Sequence, residues 1–88
     1  MEKIYSVQES QKVVILAQAI VIDMQNYLNS YLENLDIKDM IKVNKCINEL
    51  KELNIDLINP ITGEISIPTF INGIKKDQKW SLIKSDVK

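Results

Sequence analysis

Between Val7 and Glu33 the chain contains no Gly or Pro, and its apolar residues recur at helical spacing. At 100° per residue, Val13, Leu16, Ala17, Ile20, Met24, Tyr27, Leu28 and Tyr31 gather on one side, and Val14, Val21 and Leu32 widen the stripe. Just upstream, Ser6 and Glu9 stand three apart. At that spacing the Ser hydroxyl accepts from the Glu amide while the Glu side chain returns to the Ser amide. The pattern predicts a helix over residues 7–33, roughly 40 Å long at 1.5 Å per residue. That is longer than a domain of 88 residues needs for its own core.

Asn34 is the expected left-handed cap, with Leu35 packing back on the last turn and Asp36 capping a second helix. The result is a tight reversal into an antiparallel pair. The second helix, about 37–53, turns Met40, Val43, Cys46, Ile47, Leu50 and Leu53 inward and Lys38, Lys42, Lys45, Glu49 and Glu52 outward. Asn54 repeats the stop signal, and the periodicity then becomes nearly alternating. Ile55, Leu57 and Ile58 make a short extended piece before the turn Asn59-Pro60-Ile61-Thr62-Gly63. Ile65, Ile67 and Phe70-Ile71 read as a strand with an edge-type proline, Pro68, and Trp80 to Ile83 as its partner. Asn72-Gly73 is a strong hairpin dipeptide, while the polar stretch Lys75 to Lys79 leaves a longer connection open. The expected fold is mainly α: an antiparallel two-helix hairpin followed by a small C-terminal β-hairpin over about 55–84, all in a single domain, 1–88.

The residue inventory excludes much chemistry. With no histidine, the usual general base near neutral pH and the commonest transition-metal ligand are missing. The single cysteine, Cys46, rules out an internal disulfide and reads as a small buried hydrophobe on the inner face of the second helix. Asp36 and Asp39 serve the start of that helix, and Asp23, at the border of the apolar stripe, has no complementary catalytic group. Neither glycine belongs to a phosphate loop. No enzyme activity, cofactor, metal or small-molecule substrate is expected. The opening residues show no leader pattern and no apolar run spans a bilayer, so a cytoplasmic protein without a membrane partner is expected.

Charge adds one further candidate. All eleven basic residues are lysines, which disfavours bidentate reading of bases or phosphates. Residues 1–64 carry six lysines against ten acids and residues 65–88 five lysines against two, so the tail is mildly basic. Lys75, Lys76, Lys79 and Lys84, with Trp80, form a candidate nucleic-acid contact that tracks a phosphate backbone. The competing reading is that these lysines keep a hairpin soluble and its edge unpaired.

The unusual feature is the block Val13 to Ile22, apolar almost all the way around the helix. Ile15, Ala19 and Ile22 fall near the polar meridian marked by Gln11, Gln18, Gln25 and Asn29, so they face water unless the terminal hairpin or another chain covers them. Completely burying two isoleucines contributes roughly 3–6 kcal/mol, comparable with the stability of a small domain. Ile15, Gln18, Ala19 and Ile22 are therefore the candidate protein interface.

The order of motifs resembles a family of small prokaryotic helical-hairpin proteins of undefined function. That family opens with an aromatic residue, Ser or Thr, two variable residues and Glu, here Tyr5-Ser6-Val7-Gln8-Glu9. It closes with a Gly-containing turn, an extended segment ending in Pro, another Gly and an aromatic-rich strand, here Gly63, Pro68, Gly73 and Trp80-Ser81-Leu82-Ile83. Ser10 stands where the family has Ala, and Ile83-Lys84 where it has Cys-Trp. In size and helical character the chain is also similar to small accessory subunits of crenarchaeal family-B DNA polymerases. The expected function is a non-enzymatic accessory or adaptor subunit that stabilises or regulates a larger protein, such as a DNA polymerase or other nucleic-acid machine, or that forms a homo-oligomer. Direct nucleic-acid binding through the C-terminal lysines and viral inhibition of a host enzyme are the alternatives.

Overall fold

The computed structural model describes residues 3–82. Helix α1, Val7–Asn34, begins at the capping box: the Glu9 amide donates to Ser6 Oγ (3.1 Å) and the Ser6 amide to Glu9 Oε1 (3.0 Å). That backbone donor holds the Glu9 carboxyl below its usual pKa. Asn34 remains helical, its side chain donating to Ser30 Oγ, and Leu35 takes the left-handed position instead (φ 54°). The Leu35 amide closes the helix on the Tyr31 carbonyl, but its side chain is 72% exposed and does not pack back as expected.

Helix α2, Ile37–Glu52, starts with Asp36 Oδ1 accepting from the Lys38 amide (3.0 Å). Its end is a left-handed cap at Asn54 (φ 58°), where the Asn54 amide donates to Lys51 O and the Ile55 amide to Leu50 O. Leu50 and Ile55, brought together by that cap, are both buried. Ser30 Oγ donates to Asp39 Oδ2 (2.9 Å), tying the two helices near their reversal.

The β region is larger than a hairpin. Strands β1 (Tyr5–Ser6), β2 (Asp56–Asn59), β3 (Glu64–Ile71) and β4 (Ile74–Ser81) form one four-stranded sheet. Strand β4 runs antiparallel along all of β3, joined by Asn72 (φ 54°) and Gly73 (φ 78°), the two positive φ values of a tight hairpin turn. The polar stretch Lys75 to Lys79 is thus strand, not connection, and β4 begins six residues earlier than the expected partner strand. A strand has two edges, so β1 and β2 share the other edge of β3 end to end. Strand β2 pairs antiparallel at Ile65 and Ser66, and β1 pairs parallel at Thr69 and Phe70.

This arrangement moves Pro68 from the expected edge strand to the central one. Ile71 and Ile74 flank the two-residue turn, so ladder bonds to β4 fall on Ile71, Thr69, Ile67 and Ile65. Pro68 therefore turns its nitrogen to the opposite edge, into the interval between β2 and β1, where no donor is required.

Ile65, Ile67 and Thr69 share one face of β3 and are buried, together with Ala17, Val21 and Met24 of α1 and Val43, Cys46 and Leu50 of α2. Ser10 is also fully buried, with its hydroxyl donating to the Val7 carbonyl (2.8 Å) and lying 3.4 Å from Gln78 Oε1. Beyond α2, the segment before α1 fills in. Tyr5 Oη donates to the Leu53 carbonyl (2.7 Å) and Asn54 Nδ2 to the Lys3 carbonyl (2.8 Å). Burial, and then Glu9, push the Tyr5 phenol above its usual pKa.

Two expected core residues on α1 are not in the core: Leu16 is 50% and Leu32 65% exposed. Neither neighbouring layer covers them. Helix α2 has 16 residues against 28 in α1, and Leu16 lies beyond its end. The β2–β3 turn is fastened to α1 at Gln25, whose Nε2 donates to the Pro60 and Ile61 carbonyls, and Pro60 and Ile61 leave an open cavity against Leu32 instead of covering it. Among the described residues no helix is long and apolar enough to cross a membrane.

Candidate functional site

The outer face of α1 carries the candidate interface. Ile15 is 68% exposed, Ile22 44% exposed, and Ala19 between them is exposed too. The terminal hairpin was the candidate cover, and it approaches this helix from another side, through Ser10 and Gln78. Among the described residues its end bonds to α1 at Gln18, whose Nε2 donates to the Leu82 carbonyl at 3.5 Å. Gln18 thus marks the margin between the sheet-facing side and the apolar strip. Among the described residues nothing buries Ile15 or Ile22.

Leu16 belongs to the same strip. At 100° per residue Ala19 lies near its middle, with Ile15 and Ile22 to one side and Leu16 to the other. Helical spacing alone places Leu16 with the core stripe; the signal against it is the length mismatch between the two helices. Leu16 also joins Lys3, Tyr5, Glu9, Lys12 and Val13 around a shallow groove that continues the strip toward the start of the helix. At the opposite end of the helical pair, Leu32, Leu35, Ile37 and Ile41 are all more than half exposed.

The lysine-bearing tail is distributed differently from the expected patch. Cross-strand partners share a face, so Lys75 and Lys79 lie on the outer side of the sheet with Phe70, while Lys76 and Trp80 alternate to the helix-facing side. Asp77 sits between Lys75 and Lys79 on that outer side, and Asp56 lies across Ser66 from Lys79. Trp80 packs against the core with its indole Nε1 buried and unpartnered among the described residues. Lys84 lies outside the described residues.

Cys46 is 6% exposed, and burial, followed by the charges of Glu49 and Asp23, pushes its thiol above the usual pKa. A thiol so placed is a poor nucleophile at neutral pH. Asp23 is exposed. Among the described residues no group of three or more Cys, Asp or Glu side chains is placed to hold a metal ion. Comparison with protein-family models, with curated proteins and with solved structures returns no match.

Proposed function

We propose that the protein is a non-enzymatic adaptor or accessory subunit that binds a larger protein through the outer face of α1. The observation that carries this reading is the exposure of Ile15 (68%) and Ile22 (44%) on a helix whose opposite side buries Ala17, Val21 and Met24. Covering the exposed part of the two side chains contributes roughly 2–3 kcal/mol toward association. Ala19 allows a partner backbone to come close, and Gln18 supplies a polar rim. A DNA polymerase or other nucleic-acid machine is the partner class that the resemblance to small polymerase subunits implies, and a cytoplasmic location goes with it.

The test is capture from a native lysate with the wild-type chain and with Ile15→Ser/Ile22→Ser, followed by sizing of the complex. The wild type retains a larger protein and the double variant releases it while keeping its helicity. Equal capture by both chains refutes the reading.

Direct nucleic-acid binding is the second reading, favoured by Phe70, 46% exposed and in register with Lys75 on the outer sheet face. It requires steep salt dependence, and mobility-shift titrations at two salt concentrations decide it.

A further inference from the structure

We infer that a second copy of this chain covers the outer face of α1 when no other protein does, through an antiparallel α1–α1 pairing about a two-fold axis near residue 18. The inference rests on reading that face as a binding surface, and it names what occupies the surface first.

Three features of the strip make it self-complementary. Its middle is Ala19, small enough to let two helix backbones approach. Ile15 and Ile22 lie on one side of that middle, at similar distances before and after the centre of the strip. In an antiparallel pair, Ile15 of one copy therefore meets Ile22 of the other, twice. This is the reciprocal matching that a two-fold interface demands.

The third feature is charge. Lys12 and Asp23 are eleven residues apart, three helical turns, so they fall within 20° of one meridian, on the Leu16 side of the strip. Both are exposed; Lys12 interacts electrostatically with Glu9 one turn earlier, and Asp23 lines a cavity with Lys42 and Lys45 of α2. The point midway between them lies one residue from the point midway between Ile15 and Ile22, a shift of about 1.5 Å along the helix. Antiparallel pairing about that point brings Lys12 of each copy to the same level as Asp23 of the other, on the same side of the seam. Two symmetric ion pairs then close the ends of the apolar contact. A parallel pairing would instead set Lys12 against Lys12 and Asp23 against Asp23.

The interface is a single helix seam, smaller than a standard stable contact, so the dimer exchanges readily and yields to a partner that buries more. Sedimentation equilibrium of the full chain over a wide concentration range measures it, alongside Asp23→Lys and the charge swap Lys12→Asp/Asp23→Lys, with circular dichroism confirming equal helicity. The wild type forms a dimer whose dissociation constant rises with salt. Asp23→Lys, which sets lysine against lysine twice, weakens it about tenfold or more, and the swap returns it to within about threefold of wild type.

A wild type that stays monomeric throughout, or an Asp23→Lys variant that dimerises as well as wild type, overturns the pairing. The adaptor reading fails separately: if Ile15→Ser/Ile22→Ser still captures the larger protein, that reading falls whatever the sedimentation shows. If the wild type is monomeric and the same variant loses capture, the adaptor reading stands and the dimer does not.

Discussion

Replacing Tyr5 by Phe removes a single oxygen from a ring that stays in place, which isolates the hydrogen bond between the start of the chain and the end of α2. Tyr5 is 5% exposed and its hydroxyl donates to the Leu53 carbonyl at 2.7 Å. That carbonyl is one of the terminal acceptors a helix cannot satisfy internally. A neutral bond of this kind contributes about 1 kcal/mol, and leaving a partly buried acceptor unpaired raises the loss toward about 1.5 kcal/mol. In a domain this small, that lowers Tm by roughly 4–10 °C. Tyr5→Ala, which also empties the ring's place, costs about 3–5 kcal/mol.

The same substitution has a pH signature. The folded-state pKa of Tyr5 is raised above its ordinary 10.0, chiefly by burial. Above that ordinary value the unfolded chain releases the phenolic proton while the folded chain still holds it. The contribution is therefore fully present below pH 10 and is lost as pH rises through the folded pKa. Urea unfolding followed by circular dichroism, at neutral pH and in steps above pH 10, compares wild type with Tyr5→Phe. The variant is weaker at neutral pH and lacks this part of the alkaline loss. Equal midpoints at neutral pH, or equal alkaline slopes, refute the argument that the phenol latches the chain start to α2.

Three further outcomes are expected. Leu35→Gly relieves a left-handed leucine whose side chain is mostly in water, raising stability by about 1 kcal/mol in thermal unfolding. Gly73→Ala, at φ 78° with nothing near its would-be Cβ, lowers stability by about 1 kcal/mol through backbone strain alone. Cys46, buried and with its thiol pKa raised, reacts with a thiol reagent at neutral pH only as fast as the chain opens, so added urea accelerates labelling. Labelling of the native chain at the rate of a free thiol contradicts that placement.

The features legible in the sequence are those with local causes. Ser6 with Glu9, Asp36 and Asn72-Gly73 each act within four residues, and each does what its spacing predicts. Cys46 and Leu50 follow from helical periodicity in the same way. What escaped depends on distant partners. Strand β1 is two residues long and exists because Tyr5 and Ser6 find Thr69 and Phe70, more than sixty positions away. Strand β4 hides behind its lysines, which sit on an edge that has no neighbour among the described strands. Leu16 and Leu32 have the spacing of core residues, but whether they are covered depends on where α2 and the β2–β3 turn stop. In the candidate site, the periodicity separates Ile15, Ala19 and Ile22 from the buried stripe, while alternation along β4 sets Lys75 and Lys79 on one face of the sheet and Lys76 and Trp80 on the other.

The shared edge of β3 also orders the events of synthesis. Both helices leave the ribosome before β3 does, and they are free to pair at once, because their contacts are close in sequence. Tyr5 and Ser6 emerge before either helix and wait longest, since the backbone they pair with follows some sixty residues later. A nascent chain cut before Phe70 holds a helical hairpin with its leading end adrift. Proteolysis of stalled chains of increasing length should show that end becoming resistant only once β3 has cleared the exit tunnel.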